Sequence, residues 1–214
     1  MKNRLHNSLR ALILSLAVLL SLPMLAEHIE IDGINYDINI ATKKAAVIAK
    51  SRGRYSGEMV IPESVEFNGT TYSVTSIGDN AFRGCLGLTS VNIPNSVKSI
   101  EKFAFAGCSG LSSLTIPNSI ESIKAAAFSG CSGLTSVTLG KSVKSIATLA
   151  FFDCSGLTSI VVDAGNQVYD SRNNCNAIIA TASNTLFLGC NNTIIPNSVT
   201  SIKENAFFGC EGLT

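Results

Sequence analysis

The 214-residue chain is 46% hydrophobic and only 14% charged, with a formal net charge of +1 and no tryptophan. That is enough chain for one sizeable core, and the near-neutral balance argues against a dedicated nucleic-acid binder, which carries a basic excess. The two histidines, His6 and His28, leave little for imidazole catalysis.

The first residues read as a leader. Lys2, Arg4 and Arg10 precede an uncharged run, ALILSLAVLLSLPML, from Ala11 to Leu25, with Pro23 near its end and a small residue at Ala26. This is the pattern of a secretory signal peptide over residues 1–26. An uncleaved membrane anchor is the alternative, but the run of 15 residues falls short of the ~20 that span a bilayer. Losing Lys2, Arg4 and Arg10 from 16 basic residues leaves 13 against 15 acidic ones, a net charge of −2. The expected location is secreted or at the cell surface.

Residues 27–60 are expected to form an N-terminal β cap. IEIDGINYDINI alternates apolar and polar residues around Asp32-Gly33, a hairpin signal, and AAVIAK and EMVIP read as further strands. From Ile61 onward the chain is repetitive. EFNGTTYSV lengthens the first coil, in which Ile61 and Ile93 stand 32 residues apart, and its Asn68-Gly69 predicts a turn between two short strands.

The repeat is carried by many columns. The octet A-F-x-G-C-x-G-L begins at Ala81, Ala104 and Ala127, and returns as AFFDCSGL at Ala150 and AFFGCEGL at Ala206. Cys85, Cys108, Cys131 and Cys154 are 23 residues apart, and Cys210 lies 56 further on. Leu88, Leu111, Leu134, Leu157 and Leu213 form one column, and Ile77, Ile100, Ile123, Ile146 and Ile202 another. Ile93, Ile116, Leu139 and Val162 form a third, which Ile195 resumes. L-x-x-L-x-I places apolar residues around a short strand, and Pro94, Pro117 and Pro196 end it. The I-x-x-x-A-F segment then returns along the opposite wall. One such coil cannot bury its own apolar edge, but a stack can, so the predicted fold is a repeat solenoid with a short parallel β-sheet on one face.

With L-x-x-L-x-I, IPNSV and AFxGC in place, residues 60–214 resemble the BspA-like leucine-rich repeats of bacterial surface proteins. The resemblance implies a right-handed solenoid, export, and binding or adhesion at a cell surface. The asparagine usual after the strand is replaced by Ser64, Ser96, Ser119, Ser142 and Ser198, whose hydroxyls are expected to bond leftover turn groups.

The unit spanning residues 162–194 is enlarged. AIIA and TLFLG flank Ala182-Ser183-Asn184, predicting a β-hairpin that protrudes from or edges the solenoid. It brings Tyr169, Asp170 and Arg172 as candidate insert contacts, or else serves as a spacer on the convex wall. Cys175 and Cys190 flank the hairpin, and a disulfide between them would staple it in an oxidising compartment. The last coil, GCEGLT, reads as incomplete, as in a fragment or a frayed end, and an open edge there could support self-association.

No catalytic, cofactor or metal constellation is apparent. No cysteine has a nearby histidine in sequence, and paired zinc-type C-x-x-C spacing is missing. Glu101 and Glu121, a conceivable carboxylate pair for glycoside hydrolysis, sit among lysines on different coils and read as solvated charges. The column cysteines read as small buried hydrophobes. The candidate binding face is Thr89, Ser90 and Asn92; Ser112, Ser113 and Thr115; Thr135, Ser136 and Thr138; and Thr158 and Ser159. It is polar and lacks aromatic or arginine anchors, so it serves either as a solubilising surface or as a low-affinity, multivalent contact surface. The expected function is a secreted scaffold binding an extracellular protein or glycan without catalysis, with no nucleic acid and no membrane contact beyond the leader. The alternative is a purely structural repeat segment of a larger surface protein.

Overall fold

The computed structural model describes residues 27–212. The predicted signal peptide lies outside them, and no helix among the described residues is long and apolar enough to cross a membrane.

The chain enters as an antiparallel meander of β1 (Glu27–Ile31), β2 (Ile34–Asn39) and β3 (Lys44–Ile48). The β1–β2 turn uses Asp32 at φ 49° and Gly33 at φ 77°, the left-handed pair that a tight hairpin requires. β4 (Gly57–Val60) follows, then β5 (Ser64–Phe67) and β6 (Thr70–Ile77), an antiparallel pair joined at Asn68-Gly69 as predicted. β3 pairs in parallel with β6, so the meander occupies the edge that the coils would otherwise leave open. Tyr55 locks this end: its hydroxyl donates to Ile48 O at 2.7 Å and accepts from the Asn35 N–H at 2.9 Å.

The coils then repeat. β7 (Leu88–Asn92), β9 (Ser113–Ile116), β11 (Ser136–Leu139) and β13 (Ser159–Val162) make one row, alternating along the chain with β8 (Ser99–Ile100), β10 (Ser122–Ile123) and β12 (Ser145–Ile146). β9, β11 and β13 are parallel and in register, with Leu114, Val137 and Ile160 aligned, as are Ile116, Leu139 and Val162. β4 pairs in parallel with β7, forming a separate small sheet of the same row. EMV of the expected cap therefore joins the ladder of the coils rather than the meander. The reason is pairing: β4 finds its partner about 30 residues downstream, not in the meander. The second row, β6–β8–β10–β12, is also parallel and is continuous with the meander.

The return segment contains no strand but has its own ladder. Phe82, Phe105 and Phe128 each donate their N–H, at 2.7 Å, to the alanine carbonyl of the next coil, at Ala104, Ala127 and Ala150. Phe82, Phe105, Phe128 and Phe151 stack in succession with ring centroids 4.8–5.2 Å apart and nearly parallel planes, and Tyr55 packs tilted on Phe82 at the near end. A spacing of one strand separation is what the coil pitch imposes on equivalent side chains. Phe82, Phe105 and Phe128 are fully buried, worth about 3–5 kcal/mol each on truncation.

The enlarged unit builds β14 (Tyr169–Asp170), a 3-10 turn (Arg172–Asn174), β15 (Ile178–Ala180) and β16 (Thr185–Leu188), and β17 (Ser201–Ile202) follows it. β15 and β16 form the predicted hairpin, with Asn184 at φ 51° in its turn. They form part of the wall rather than projecting from it: the order β14–β15–β16–β17 is one sheet, and β16 pairs in parallel with β17. Asn166 prepares this sheet. It is buried, its Nδ2 donates to Gly140 O and Val143 O at 3.0 and 3.1 Å, and its Oδ1 accepts the Val168 and Tyr169 N–H groups at 2.9 Å. Ile195 does not resume its column in a strand; it is 47% exposed outside any ladder.

Candidate functional site

The outer face of the first row carries the candidate binding residues. Thr89, Asn92, Ser112, Ser113, Thr115, Thr135 and Thr138 are exposed, while Ser90, Ser136, Thr158 and Ser159 are half-buried. Alternation along each strand causes this: Leu114, Ile116, Val137 and Leu139 point inward, so Thr115 and Thr138 point out. Ser113, Ser136 and Ser159 align across the sheet, as do Thr115 and Thr138. Not all of these hydroxyls are free. Thr135 Oγ1 donates to Ser112 O at 2.9 Å and Thr158 Oγ1 to Thr135 O at 3.2 Å, tying neighbouring coils together. The threonine column continues into Val161, 49% exposed, a residue that sequence reasoning passed over. Its signal was present as an apolar residue at a position where the other units have threonine or asparagine.

The insert contacts are placed otherwise than expected. Tyr169 is buried at 5% exposure, and its hydroxyl accepts the Ile146 N–H at 3.2 Å, so it belongs to the core and not to an outward contact surface. The cause is register: Tyr169 stands 23 residues after Ile146 and occupies the next position of that apolar column. The Arg172 guanidinium donates two hydrogen bonds to the Asp170 carboxylate, at 2.8 and 2.5 Å, the Arg172 backbone N–H adds a third at 3.1 Å, and the guanidinium also reaches Asn184 Oδ1 at 2.8 Å. The guanidinium holds the Asp170 carboxyl below the usual carboxylate range. Together they staple the hairpin turn by charge rather than by sulfur.

The disulfide is not formed. Cys175 and Cys190 are free, buried thiols in separate apolar clusters, and the Cys190 thiol donates to Asn176 O at 3.2 Å. The column cysteines do more than fill space. Cys108, Cys131 and Cys154 donate S–H to the carbonyls of Phe82, Phe105 and Phe128 in the preceding coil, at 3.0–3.2 Å. Burial pushes the Cys131 and Cys154 thiols up to about 12, and raises Cys108 as well. A thiol so held stays protonated and is a poor nucleophile.

The serine column also departs from expectation. Ser96 and Ser119 have buried hydroxyl oxygens without hydrogen-bond partners, while Ser198 accepts from Arg172 at 3.3 Å. The inter-coil bond comes instead from the preceding residue, where Asn118 Oδ1 accepts the Lys141 N–H at 2.8 Å. Glu121 pairs with Lys144 at 2.8 Å on the exposed second row. Among the described residues no group of three or more His, Cys, Asp or Glu side chains could hold a metal ion.

A BspA type leucine rich repeat region matches in six copies, over residues 63–179 and 180–214. Among curated proteins no relative matches. Among solved structures, a leucine-rich repeat protein from Bacteroides capillosus is 26% identical with a TM-score of 0.55, over 64% of this chain and 99% of that one. Another from Bacteroides ovatus is 25% identical at a TM-score of 0.50, over 84% of this chain and 48% of that one. A leucine-rich repeat protein of T. pallidum shares the fold at 22% identity and a TM-score of 0.57, over 88% of this chain and 91% of that one. The chain belongs to the BspA-type leucine-rich repeat family.

Proposed function

We propose that this protein is an exported or surface-held scaffold that binds an extracellular protein or glycan without chemistry. The reading is carried by one observation: Ser113, Ser136 and Ser159 of β9, β11 and β13 stand in register, as do Thr115 and Thr138 of β9 and β11, so small hydrogen-bonding groups recur from coil to coil. Repeated weak contacts of this kind add through multivalency rather than through one anchor. The buried, protonated thiols support a non-catalytic role. The leader-like Ala11–Leu25 segment supports export. A purely structural role in a larger surface protein is the second reading, favoured by the insert, whose Asp170 and Arg172 are consumed by internal bonds.

The test is adhesion of beads coated with the exported chain to a panel of immobilised matrix proteins and glycans. Replacing Thr115 and Thr138 by arginine should abolish attachment while leaving the unfolding midpoint unchanged. Attachment that survives this double substitution rejects the first-row face as the contact surface. No attachment to any panel member favours the structural role.

A further inference from the structure

The return wall, which the binding face does not use, holds an open cleft of about 650 Å³ at the N-terminal coils, lined by Lys50, Arg54 and Arg83 and, among the described residues, by no carboxylate. This is unusual for a chain whose acidic residues outnumber its basic ones once the leader is removed. The floor is backbone. Gly84 and Gly107 have no side chains to fill it, and a Cβ on Gly84 would meet the Arg54 guanidinium at 3.3 Å. The cations are held in place. Arg54 Nη1 donates to Arg83 O at 2.5 Å, Arg83 Nη1 donates to Asn80 Oδ1 at 3.2 Å, and the Arg83 guanidinium lies 5.1 Å from the Phe103 ring. Lys50 stands 5.2 Å above the ring of Tyr55. Phe103 itself is 39% exposed at the cleft, an apolar surface with no core to explain it. None of these positioning contacts neutralises a charge, so all three cations remain available to an anion.

The backbone decides which class of ligand fits. Phe82 and Gly84 donate their N–H groups to Ala104 and Ala106, Gly107 donates to Ser129, and the Arg54 guanidinium caps Arg83 O, so these backbone groups are already engaged and not available to an added peptide strand. Recognition must go through side-chain cations and an aromatic ring, which suits a ligand that carries its own carboxylates or sulfates on ring faces. We propose that this cleft binds an acidic polysaccharide, with Lys50, Arg54 and Arg83 on its anionic groups and Phe103 against a sugar ring. The site lies on a different wall from the first-row face and does not depend on that face binding anything.

Affinity electrophoresis of the exported chain through gels containing polygalacturonate, dextran or polyglutamate tests this, with a salt titration. Polygalacturonate is expected to retard the protein, dextran is not, and added salt should relieve the retardation. Lys50→Gln with Arg83→Gln should weaken it by about tenfold, because two partly exposed cations are removed together. The control, Lys98→Gln with Lys144→Gln on the second row, removes the same charge elsewhere and should leave it intact. Phe103→Ser should weaken retardation by polygalacturonate without changing its salt dependence. Equal losses in the two lysine-containing double variants would mean that net charge alone is responsible and would overturn the site. Polyglutamate retarding the chain as strongly as polygalacturonate would overturn the glycan assignment in favour of an acidic peptide. Unfolding midpoints of each variant identify any loss that comes from misfolding, and Arg83→Lys, which keeps the charge, should restore most of the retardation.

Discussion

The coils between Ala81 and Val162 and the segment after Asp163 use the same residue types at the same columns, yet bury them differently. Ile100 and Ile123 are 0% and 1% exposed, whereas Ile202 is 51% exposed. Phe105 is fully covered between Phe82 and Phe128, whereas its counterpart Phe207 is only half-buried and packs against the small second apolar cluster. β10 has a parallel strand on both sides and β17 on one. A column residue in a solenoid is therefore buried by its neighbours rather than by its own unit, and stability is a nearest-neighbour property.

The strongest way to break that comparison is to truncate equivalent aromatics. Phe105→Ala should cost about 3–5 kcal/mol in urea unfolding, because a cavity opens inside a closed stack. Phe207→Ala should cost about 1–2 kcal/mol, since the ring is only half-buried where the coils are less completely covered. Equal costs for the two would show that position within the stack is irrelevant.

Asn166 marks the junction between the two regions. Asn166→Ala removes a side chain that makes four hydrogen bonds and leaves buried backbone groups unpaired. A loss of about 2–3 kcal/mol is expected. Hydrogen exchange should show it as loosening of β14–β17 with the earlier coils still protected.

The thiols sharpen the comparison by pH. Burial raises Cys131 and Cys154 from an ordinary value of 9.0 to about 12 in the folded state. Their stabilising contribution is complete below the unfolded value and is lost as pH rises from there through the folded value. The unfolding midpoint should thus fall between about pH 9 and pH 12. Cys131→Ala with Cys154→Ala should flatten that fall, at a cost of about 1–2 kcal/mol per site near neutrality. Cys210→Ala, at a half-buried site, should change the slope less.

The smallest expected effect is a gain. Gly84, Gly107, Gly130 and Gly209 all have φ between 66° and 81°, but the fourth copy places Asp153 at φ 57° in the same turn. Asp153→Gly should raise stability by about 0.5–1 kcal/mol, seen as a higher thermal midpoint. No gain would mean that the aspartate is held there by interactions that offset its backbone cost.

Much of this fold was legible in the chain itself. The 23-residue step, the apolar columns and the Asp32-Gly33 and Asn68-Gly69 turns each carry a local signal, and the strands and hairpins formed where those signals stood. The candidate face was legible too, because alternation assigns Thr115 and Thr138 to the outside once the strands are known. Less was legible where a residue's role depends on distant partners. Tyr169 reads as an insert aromatic until its place beside Ile146 is seen, and Ser119 reads as a partner for leftover turn groups until Asn118 is found accepting the inter-coil bond instead.

By itself the sequence determined that this chain is a stack of 23-residue coils, since only stacking can bury columns that recur at that step. The tertiary structure alone decided which groups close each gap. It joined β4 to the ladder of the coils, gave the thiols the phenylalanine carbonyls of the preceding coil, and drew Asp170 and Arg172 into a staple across the hairpin. It also brought Lys50 and Arg54 from the cap connection beside Arg83 of the first repeat. The physical reason is the same in each case: periodicity states which residues are equivalent, while hydrogen bonds and ion pairs depend on which coils lie side by side.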